Sequence, residues 1–296
     1  GMPVYSGRME IRPCEEGLLL INILPLEEYL KAVVPSEMPS AYEMEALKAQ
    51  AVCARTYAWK QMQEGRFSEY GADVDDSVSC QVYQNIAPQE ASSRAVEETK
   101  GKIICQDGQP VEAYYFSTSA GVTSTDEIWG AHEAASWLQS VPCKFDEKEP
   151  WSALEVRIPR SNLEEKAASL LKLTGRLRSV SVQKKSQSGA VTQLAVTTES
   201  GSQNLNGEYA IREFLSPGGC RITERNGSTV DGGRLLPSAY FEILKQDQEG
   251  ITLKGGGYGH GVGMSQTAAN EMAKEGYTYE EILNYFFRNI ELEEMF

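Results

Sequence analysis

The strongest periodic pattern in the chain lies at residues 40–65, which read SAYEMEALKAQAVCARTYAWKQMQEG. Apolar and small side chains recur there at intervals of three and four residues, which predicts an amphipathic helix with one buried stripe. The stripe consists of Met44, Leu47, Ala51, Ala54, Ala58 and Met62. Ser40 and Glu43 have the spacing of a capping box, and Gly65 is a typical helix end. We therefore expect a long core helix that starts at this box and runs to about residue 63.

The segments on both sides of this helix predict a mixture of strands and shorter helices. Residues 26–33 predict a short helix that ends before Pro35, because the residue before a proline is pushed away from helical dihedral angles. The other predicted helices are 90–99, one capped by 161–164, 264–274 and 280–288, the last of them with a capping box of Thr278 and Glu281. The predicted strands are 8–11, 18–24, 102–105, 111–116, 154–159, 177–183, 191–196, 228–231, 239–245 and 250–254. Two pairs of these strands predict hairpins, one across Asp107 and Gly108 and one across Ser188 and Gly189. The expected fold class is α+β, with one main body of helices and antiparallel sheet over 1–296, a long open cleft, and a small inserted α+β subdomain at 151–222.

The charge of the chain excludes some classes of partner. Its 296 residues include 28 Lys and Arg against 42 Asp and Glu, so the formal net charge is −14. Such a chain repels phosphate backbones, so we expect no nucleic-acid partner and no attraction to anionic lipids. No apolar run approaches the roughly 18 residues of a membrane span. Gly1 before Met2 is typical of the residue left by an expression tag, so any natural signal or anchor would be missing from this sequence.

The cysteines and histidines give little support for a metal site. The chain has 6 cysteines and 2 histidines and no Cys-x-x-Cys pair. Six cysteines allow 15 pairings, which the sequence leaves open. Cys53 and Cys105 lie in apolar patterns and read as core residues. A weaker hypothesis is a metal-dependent hydrolase that uses Cys80, His132 and Cys143.

A glutamate between two prolines is the first candidate for chemistry. Residues 35–39 read PSEMP, so Glu37 should lie on a stiff loop beside the apolar Met38. A rigid, apolar setting raises the pKa of a carboxyl by desolvation and suits a general acid. The alternative is an ordinary solvated glutamate, since most glutamates are exposed.

Two further segments combine glycine with polar side chains. Residues 115–121 read YFSTSAG, where a predicted strand ends in groups that suit hydrogen bonding to a polar ligand, or form an ordinary Ser/Thr turn. Residues 255–263 read GGGYGHGVG and contain His260, one of the 2 histidines. So many glycines permit close backbone approach at high entropic cost. We expect this loop to form a wall of the same cleft as Glu37; the alternative is that it only lets the last two helices pack tightly.

Together, these motifs resemble the stage II sporulation protein D family, in the same order along the chain. The matching segments are 25–39 (PLEEYLKAVVPSEMP), 47–58 (LKAQAVCARTYA), 116–121 (FSTSAG) and 257–266 (GYGHGVGMSQ). The resemblance implies a lytic transglycosylase that cuts peptidoglycan strands stripped of their stem peptides between N-acetylmuramic acid and N-acetylglucosamine, leaving a 1,6-anhydro end. It implies Glu37 as catalytic residue. The substrate-binding residues that we expect are Arg55, Tyr57, Ser119, Gly121, Tyr258, His260 and Gln266.

The same resemblance implies partners and a location, and it leaves a second function open. The expected partners are peptidoglycan glycan strands and a cell-wall amidase, at the cell envelope or in the secreted fraction. Relatives in this group include amidase enhancers, so a non-catalytic peptidoglycan-binding module is the alternative to an enzyme. Some relatives bind zinc through Cys and His, but a full ligand set does not map onto this chain, so we expect no cofactor.

Overall fold

The computed structural model describes residues 5–15, 17–77, 80–84 and 86–295. It divides into two compact units. The first unit takes in the chain up to Tyr114 and again from Ala269 onward, and the second unit is Tyr115–Ala268. The cleft expected from the sequence joins motifs from both units, and it stays a prediction, as does the inserted subdomain at 151–222.

Helices and strands are interspersed along the described chain. The helices are α1 (Leu26–Glu37), α2 (Met44–Glu64), α3 (Glu90–Glu98), α4 (Arg160–Leu171), α5 (Glu208–Phe214), α6 (Gln266–Lys274) and α7 (Tyr279–Phe286). The strands are β1 (Arg8–Cys14), β2 (Gly17–Ile23), β3 (Lys102–Gln106), β4 (Gln109–Pro110), β5 (Tyr115–Phe116), β6 (Leu154–Pro159), β7 (Leu177–Lys185), β8 (Val191–Thr198), β9 (Gly201–Asn206), β10 (Arg221–Glu224), β11 (Thr229–Asp231), β12 (Phe241–Gln246), β13 (Gly250–Gly255), β14 (Met264–Ser265) and β15 (Glu291–Glu294). None of these helices is long and apolar enough to cross a membrane.

The sheets are small and almost entirely antiparallel. The first unit holds the hairpin β1–β2 and the sheet β15-β3-β4, and the second unit holds the sheets β11-β10-β6-β13-β12 and β7-β8-β9. The exception is the two-residue pair of β5 with β14, which is parallel. The mixed α+β class expected from the sequence is confirmed.

Helix α2 is the core of the first unit and is buried more completely than its pattern predicted. It packs against α1, α3, β3 and α7, and every residue of 49–58 is buried. Met62, which was expected in the buried stripe, is 39% exposed. Small side chains between the larger apolar ones let neighbours approach on all sides, so a single stripe was the wrong prediction.

Three predictions about the ends of helices were wrong: the end of α1 and the caps of α2 and α4. Helix α1 continues through Pro35 to Glu37. The Ser36 hydroxyl donates to the carbonyl of Ala32 at 2.7 Å and the Met38 N–H to that of Val34 at 2.9 Å, so the last turn keeps its bonds despite the proline. The capping box before α2 does not form.

The start of α2 is held from another part of the chain. Glu43 precedes the helix without a side-chain cap, and its N–H donates to the side-chain oxygen of Asn270 at 2.9 Å. The Asn270 side chain thus satisfies the Glu43 N–H, which the expected capping box would have paired with the Ser40 hydroxyl. The expected capping box of Thr278 and Glu281 at α7 is present, whereas α4 begins directly after Pro159 without a side-chain cap.

The expected hairpin around Asp107 and Gly108 forms only in part. Strand β3 pairs with β4, which ends at Pro110, a residue without an N–H to extend the ladder. Tyr115 and Phe116 pair instead with Met264 and Ser265. This short parallel ladder joins the motif at 115–121 to the end of the glycine-rich loop, defined here as residues 255–263.

Candidate functional site

Glu37 is the last residue of α1, so it lies on a helix end and not on the loop that the sequence suggested. Its side chain is half-buried, and Met38 beside it is buried. The Glu37 Oε1 atom accepts the backbone N–H of Val82 at 2.7 Å. A helix turn therefore sets the position of this carboxyl, and a backbone donor sets its orientation.

The described segment 80–84 runs along this end of α1 in an extended form. Two alternate backbone amides donate to α1 side chains: Val82 to Glu37, and Gln84 to the Ser36 hydroxyl at 3.2 Å. Gln81 points the other way and is buried. Its amide donates to the carbonyl of Ala54 at 3.2 Å, and its oxygen accepts the Tyr29 hydroxyl at 3.2 Å. The segment thereby links α1 to α2 and covers one side of Glu37.

Arg55 lies inside the first unit and is fully buried. Its Nε and Nη2 atoms donate to the two carboxylate oxygens of Glu27 at 2.8 Å each. The remaining N–H groups reach the carbonyls of Val96 and Lys102 and the Thr99 hydroxyl. All five donors of the guanidinium are thus engaged. In this structure Arg55 joins α1, α2, α3 and β3 rather than presenting a group to a glycan.

Tyr57 is also largely inside the first unit, at 8% exposure. Its ring lies 6.2 Å from that of Tyr114 in a tilted arrangement, and it hydrogen-bonds the Cys80 thiol. Burial raises the pKa of the Tyr57 hydroxyl, so it keeps its proton at neutral pH. Of the residues of the first unit that the sequence singled out, Arg55 and Tyr57 are therefore buried, and Glu37 is the one that carries a half-buried carboxyl.

In the second unit, a buried carboxyl organises the predicted serine. Asp146 is fully buried. It accepts both the N–H and the hydroxyl of Ser119 at 2.7 Å, and the hydroxyl of Ser265 at 2.7 Å. The thiol of Cys143 lies 3.6 Å from the same carboxyl. We call these residues the Asp146 network; it joins the motif at 115–121 to β14.

Sequence reasoning missed Asp146 entirely. It stands in a polar stretch, Lys144 to Lys148, that reads as solvated. No local pattern distinguishes a buried aspartate from an exposed one, since its partners come from positions 119 and 265. Ser119, which was expected to contact substrate, is itself 1% exposed and committed to this network.

The glycine-rich loop is built for backbone conformation and close packing within the protein. Gly257, Gly259 and Gly261 all have positive φ, of 89°, 113° and 84°. A Cβ at Gly259 would lie 2.8 Å from the Cβ of Phe116, and one at Gly261 would lie 2.9 Å from the Tyr240 ring. The close approaches that these two glycines permit are therefore to protein side chains.

His260 is half-buried and held on several sides. Its Nδ1 atom accepts the N–H of Val262 at 3.1 Å, and the ring also hydrogen-bonds the backbone of Tyr115. Its ring centroid lies 5.1 Å from that of Trp129 and 5.8 Å from that of Phe116. Burial lowers the pKa of His260 to about 4, so the ring is neutral at physiological pH.

The other predicted residues of the second unit differ in accessibility. Tyr258 is 44% exposed, and its ring centroid lies 4.9 Å from that of Trp151 in an edge-to-face arrangement. Gly121 is exposed and has a positive φ of 94°. Gln266 begins α6 and is 7% exposed. Tyr258 and Gly121 are thus the members of the predicted set that face solvent in this unit.

The described residues do not suit a metal. Across 5–15, 17–77, 80–84 and 86–295, no group of three or more His, Cys, Asp and Glu side chains could hold an ion. All six cysteines are free thiols; burial raises the pKa of Cys143, and His132 is exposed. A thiol that stays protonated is a poor zinc ligand. The metal-dependent hydrolase hypothesis has no support here.

Comparison with known proteins gives consistent results over most of the chain. A family described as "Stage II sporulation protein" matches residues 14–105, which contain Glu37, Arg55 and Tyr57. A domain of unknown function matches residues 151–263, which contain Tyr258 and His260.

Three curated proteins illustrate the similarity. Stage II sporulation protein D of Bacillus subtilis (strain 168) is 33% identical, and the match covers 93% of this chain and 76% of that protein. The protein of the same name from Bacillus amyloliquefaciens is 32% identical, with 93% and 76% covered. The amidase enhancer of Bacillus subtilis (strain 168) is 29% identical over 87% of this chain, but the match spans only 39% of that protein.

Proposed function

The chain belongs to the stage II sporulation protein D family, and on that premise we propose that it is a lytic transglycosylase of peptidoglycan. Its substrate would be glycan strands without stem peptides, cut between N-acetylmuramic acid and N-acetylglucosamine. The observation that carries the proposal is Glu37, a half-buried carboxyl at the end of α1, oriented by the Val82 N–H at 2.7 Å. The proposed place of action is the cell envelope.

In the proposed mechanism, Glu37 acts first as a general acid. Since Oε1 accepts from Val82, we assign the proton of the acid to Oε2. Transfer of this proton to the glycosidic oxygen breaks the bond to C1 of the muramic acid and leaves an oxocarbenium-like centre there. Acid catalysis of this kind is typically worth about 10²–10⁴-fold in rate.

The same carboxyl then acts as a base. As the glutamate is now ionised, it takes the proton of the C6 hydroxyl of the same muramic acid. The freed oxygen attacks C1 and closes the 1,6-anhydro ring, and no water is consumed. Hydrolytic glycosidases generally need a second carboxyl to activate water or to form a covalent intermediate. An intramolecular nucleophile removes that need, which fits a proposal built on one glutamate.

The remaining candidates would position rather than react. Arg55 would hold Glu27, and with it α1, in place beneath Glu37. In the second unit, Ser119 and Gln266 are buried and would shape the backbone, and His260 would support the glycine-rich loop by packing on Phe116. The exposed Tyr258 and Gly121 are the groups that we propose touch the strand.

Substitution of Glu37 tests the proposal directly. The amide of Glu37→Gln can still accept the Val82 N–H but cannot transfer a proton. We expect the variant to fold normally and to cleave peptide-free glycan at least about 100-fold more slowly. The measurement is mass spectrometry of the 1,6-anhydro ends. Glu28→Gln is the matched control, because Glu28 lies on the same helix and is exposed. Its carboxyl pairs with the Lys31 ammonium at 3.0 Å.

One observation favours a second function. A relative named amidase enhancer matches 87% of this chain, so the chain would act on a cell-wall amidase partner without cutting glycan. In that case wild type and Glu37→Gln form no anhydro ends, and both raise the activity of a partner amidase equally. Full cleavage by Glu37→Gln would refute the assignment of Glu37 as the acid.

A further inference from the structure

An exposed tryptophan outside the predicted site is held unusually firmly. Trp129 is the last residue of a single 3₁₀ turn, Asp126–Trp129, in the second unit. Its neighbour Ile128 is buried at 2% exposure, whereas Trp129 itself is 42% exposed. Gly130, with a positive φ of 99°, turns the chain away immediately after it. The turn thus anchors one side chain in the core and presents the next to solvent.

The indole of Trp129 is fixed by two further contacts. Its Nε1–H donates to the Glu208 carboxyl at 3.4 Å. Glu208 is itself buried and pairs with Arg212 at 2.9 Å, so this acceptor is held in place from α5. The rings of Trp129 and His260 pack edge to face, with centroids 5.1 Å apart. The polar end of the indole is therefore satisfied inside the protein while a large part of its apolar surface stays in water.

The loop that follows is closed as well. The carboxyl of Asp126 accepts the backbone N–H of Ala135 at 3.2 Å, which ties the two ends of 126–135 together. An aromatic ring ordered before a ligand arrives loses little entropy on binding, and such rings make effective anchors. An exposed Trp held in this way is arranged as a binding surface, since core packing would not leave its ring in water.

The groups around Trp129 indicate which ligand it suits. Asp126, Glu127 and Glu133 lie in the same loop, and their negative charge disfavours phosphates, nucleic acids and anionic lipids. Carboxylates accept hydrogen bonds from the hydroxyls of neutral polyols. A flat aromatic face matches the apolar C–H face of a pyranose ring. We propose that Trp129 is a stacking platform for an uncharged sugar ring of a glycan.

This site rests on the proposed function in one respect, that the ligand is a glycan, and it adds a residue outside the set expected from the sequence. Through His260 it adjoins the glycine-rich loop, which also carries the exposed Tyr258. A strand bound at Trp129 would therefore lie beside this loop. Trp129 would contribute affinity and register, with no part in proton transfer.

Binding of an N-acetylglucosamine hexamer to the full chain tests the platform. This probe contains no muramic acid, so the proposed reaction cannot consume it and the result does not depend on Glu37. We expect Trp129→Ala to bind the hexamer roughly ten-fold more weakly by calorimetry, which is about 1.4 kcal/mol. Trp129→Phe should lose less, because it keeps an aromatic face. Tyr209→Ala is the control, since Tyr209 is 55% exposed in the same unit.

A second measurement covers the case in which Trp129→Ala disturbs the fold. In the unsubstituted chain, the indole ¹⁵N–H signal of Trp129 should shift as the hexamer is added. Three results would overturn the proposal: no binding of the hexamer by the unsubstituted chain, equal affinity of Trp129→Ala, or an indole signal that stays still while others move. If anhydro ends never form but Trp129→Ala still weakens binding, the catalytic proposal fails and the platform stands.

Discussion

At the scale of single residues, Arg55 and Asp146 are both fully buried and each collects hydrogen bonds from separate chain segments. Removing such a group from water costs several kcal/mol, and the cost is offset only when every donor or acceptor finds a partner. Arg55 meets that condition with a bidentate pair to Glu27 at 2.8 Å, and Asp146 meets it with the Ser119 and Ser265 groups at 2.7 Å. Both residues thereby determine which segments lie together.

Replacing Arg55 by lysine should destabilise the first unit. A lysine keeps the charge but cannot make two parallel bonds to Glu27 or reach the carbonyls of Val96 and Lys102. We expect a loss of roughly 2–4 kcal/mol in the free energy of unfolding, measured with chemical denaturant. Arg94→Lys is the control, because Arg94 is exposed and makes one ion pair on α3. Equal effects of the two changes would contradict the structural role given to Arg55.

The burial of His260 predicts a pH dependence of stability. Its pKa is about 4 in the folded chain, against about 6.5 for an unfolded chain. Unfolding therefore takes up a proton between these values, so His260 lowers stability as the pH falls through this window and has no such effect above it. As the pH is lowered, the unfolding free energy should fall less steeply in His260→Gln than in the unsubstituted chain. The difference in slope corresponds to at most one proton taken up on unfolding. His132→Gln, at the exposed histidine, is the control.

At the scale of elements, the glycine-rich loop combines left-handed backbone with contacts that exclude side chains. Its glycines lie against Phe116 and Tyr240, and its last residues continue into the parallel pair of β14 with β5. The sequence left open whether these glycines line a cleft or serve packing, and close packing within the unit already requires two of them. The loop is part of the support of the second unit.

Two glycines with nearly equal φ separate the backbone effect from the packing effect. Gly261 and Gly227 have φ of 84° and 83°, but a Cβ would meet the Tyr240 ring at 2.9 Å only at Gly261. Gly227→Ala should cost about 1 kcal/mol, the penalty of a left-handed alanine. Gly261→Ala should cost about 1–3 kcal/mol more through overpacking. Thermal unfolding of the two variants checks this; equal costs would mean that the Tyr240 ring moves aside freely.

At the scale of the whole molecule, the chain forms two units with separate buried centres. Arg55 lies in the first and Asp146 in the second. Helix α6 begins in the second unit and continues in the first, so the chain crosses the boundary there as well as after Tyr114. Regions with separate cores commonly open with different free energies.

Hydrogen exchange should resolve the two units. Asp146→Asn removes the charge and one of the two acceptor oxygens of a buried carboxyl that accepts from the Ser119 N–H and from the hydroxyls of Ser119 and Ser265, which weakens this network. We expect faster amide exchange across the described part of the second unit and little change in α2. Arg55→Lys should give the opposite distribution. If either change accelerates exchange equally everywhere, the chain unfolds as one cooperative body.

The sequence alone was a good guide to those features that depend on local pattern. Residues 90–99 and 177–196 predicted α3 and the β7–β8 hairpin, because periodicity and turn residues act over a few positions. The family also followed from the sequence, since its motifs are short and keep their order. The prediction of Glu37 as the catalytic residue rests on a local motif in the same way, and it stays a prediction.

Tertiary structure decided what local pattern cannot contain. Asn270 replaces the expected cap of α2 from more than 200 positions away. Arg55 looks like a helix residue available to substrate, yet Glu27, Val96 and Lys102 surround it. Asp146 carries no signal in its own neighbourhood. The sequence by itself determined the α+β class, most elements and the family, because these depend on near neighbours; burial and hydrogen-bond partners depend on distant segments, and only the folded chain brings those segments together.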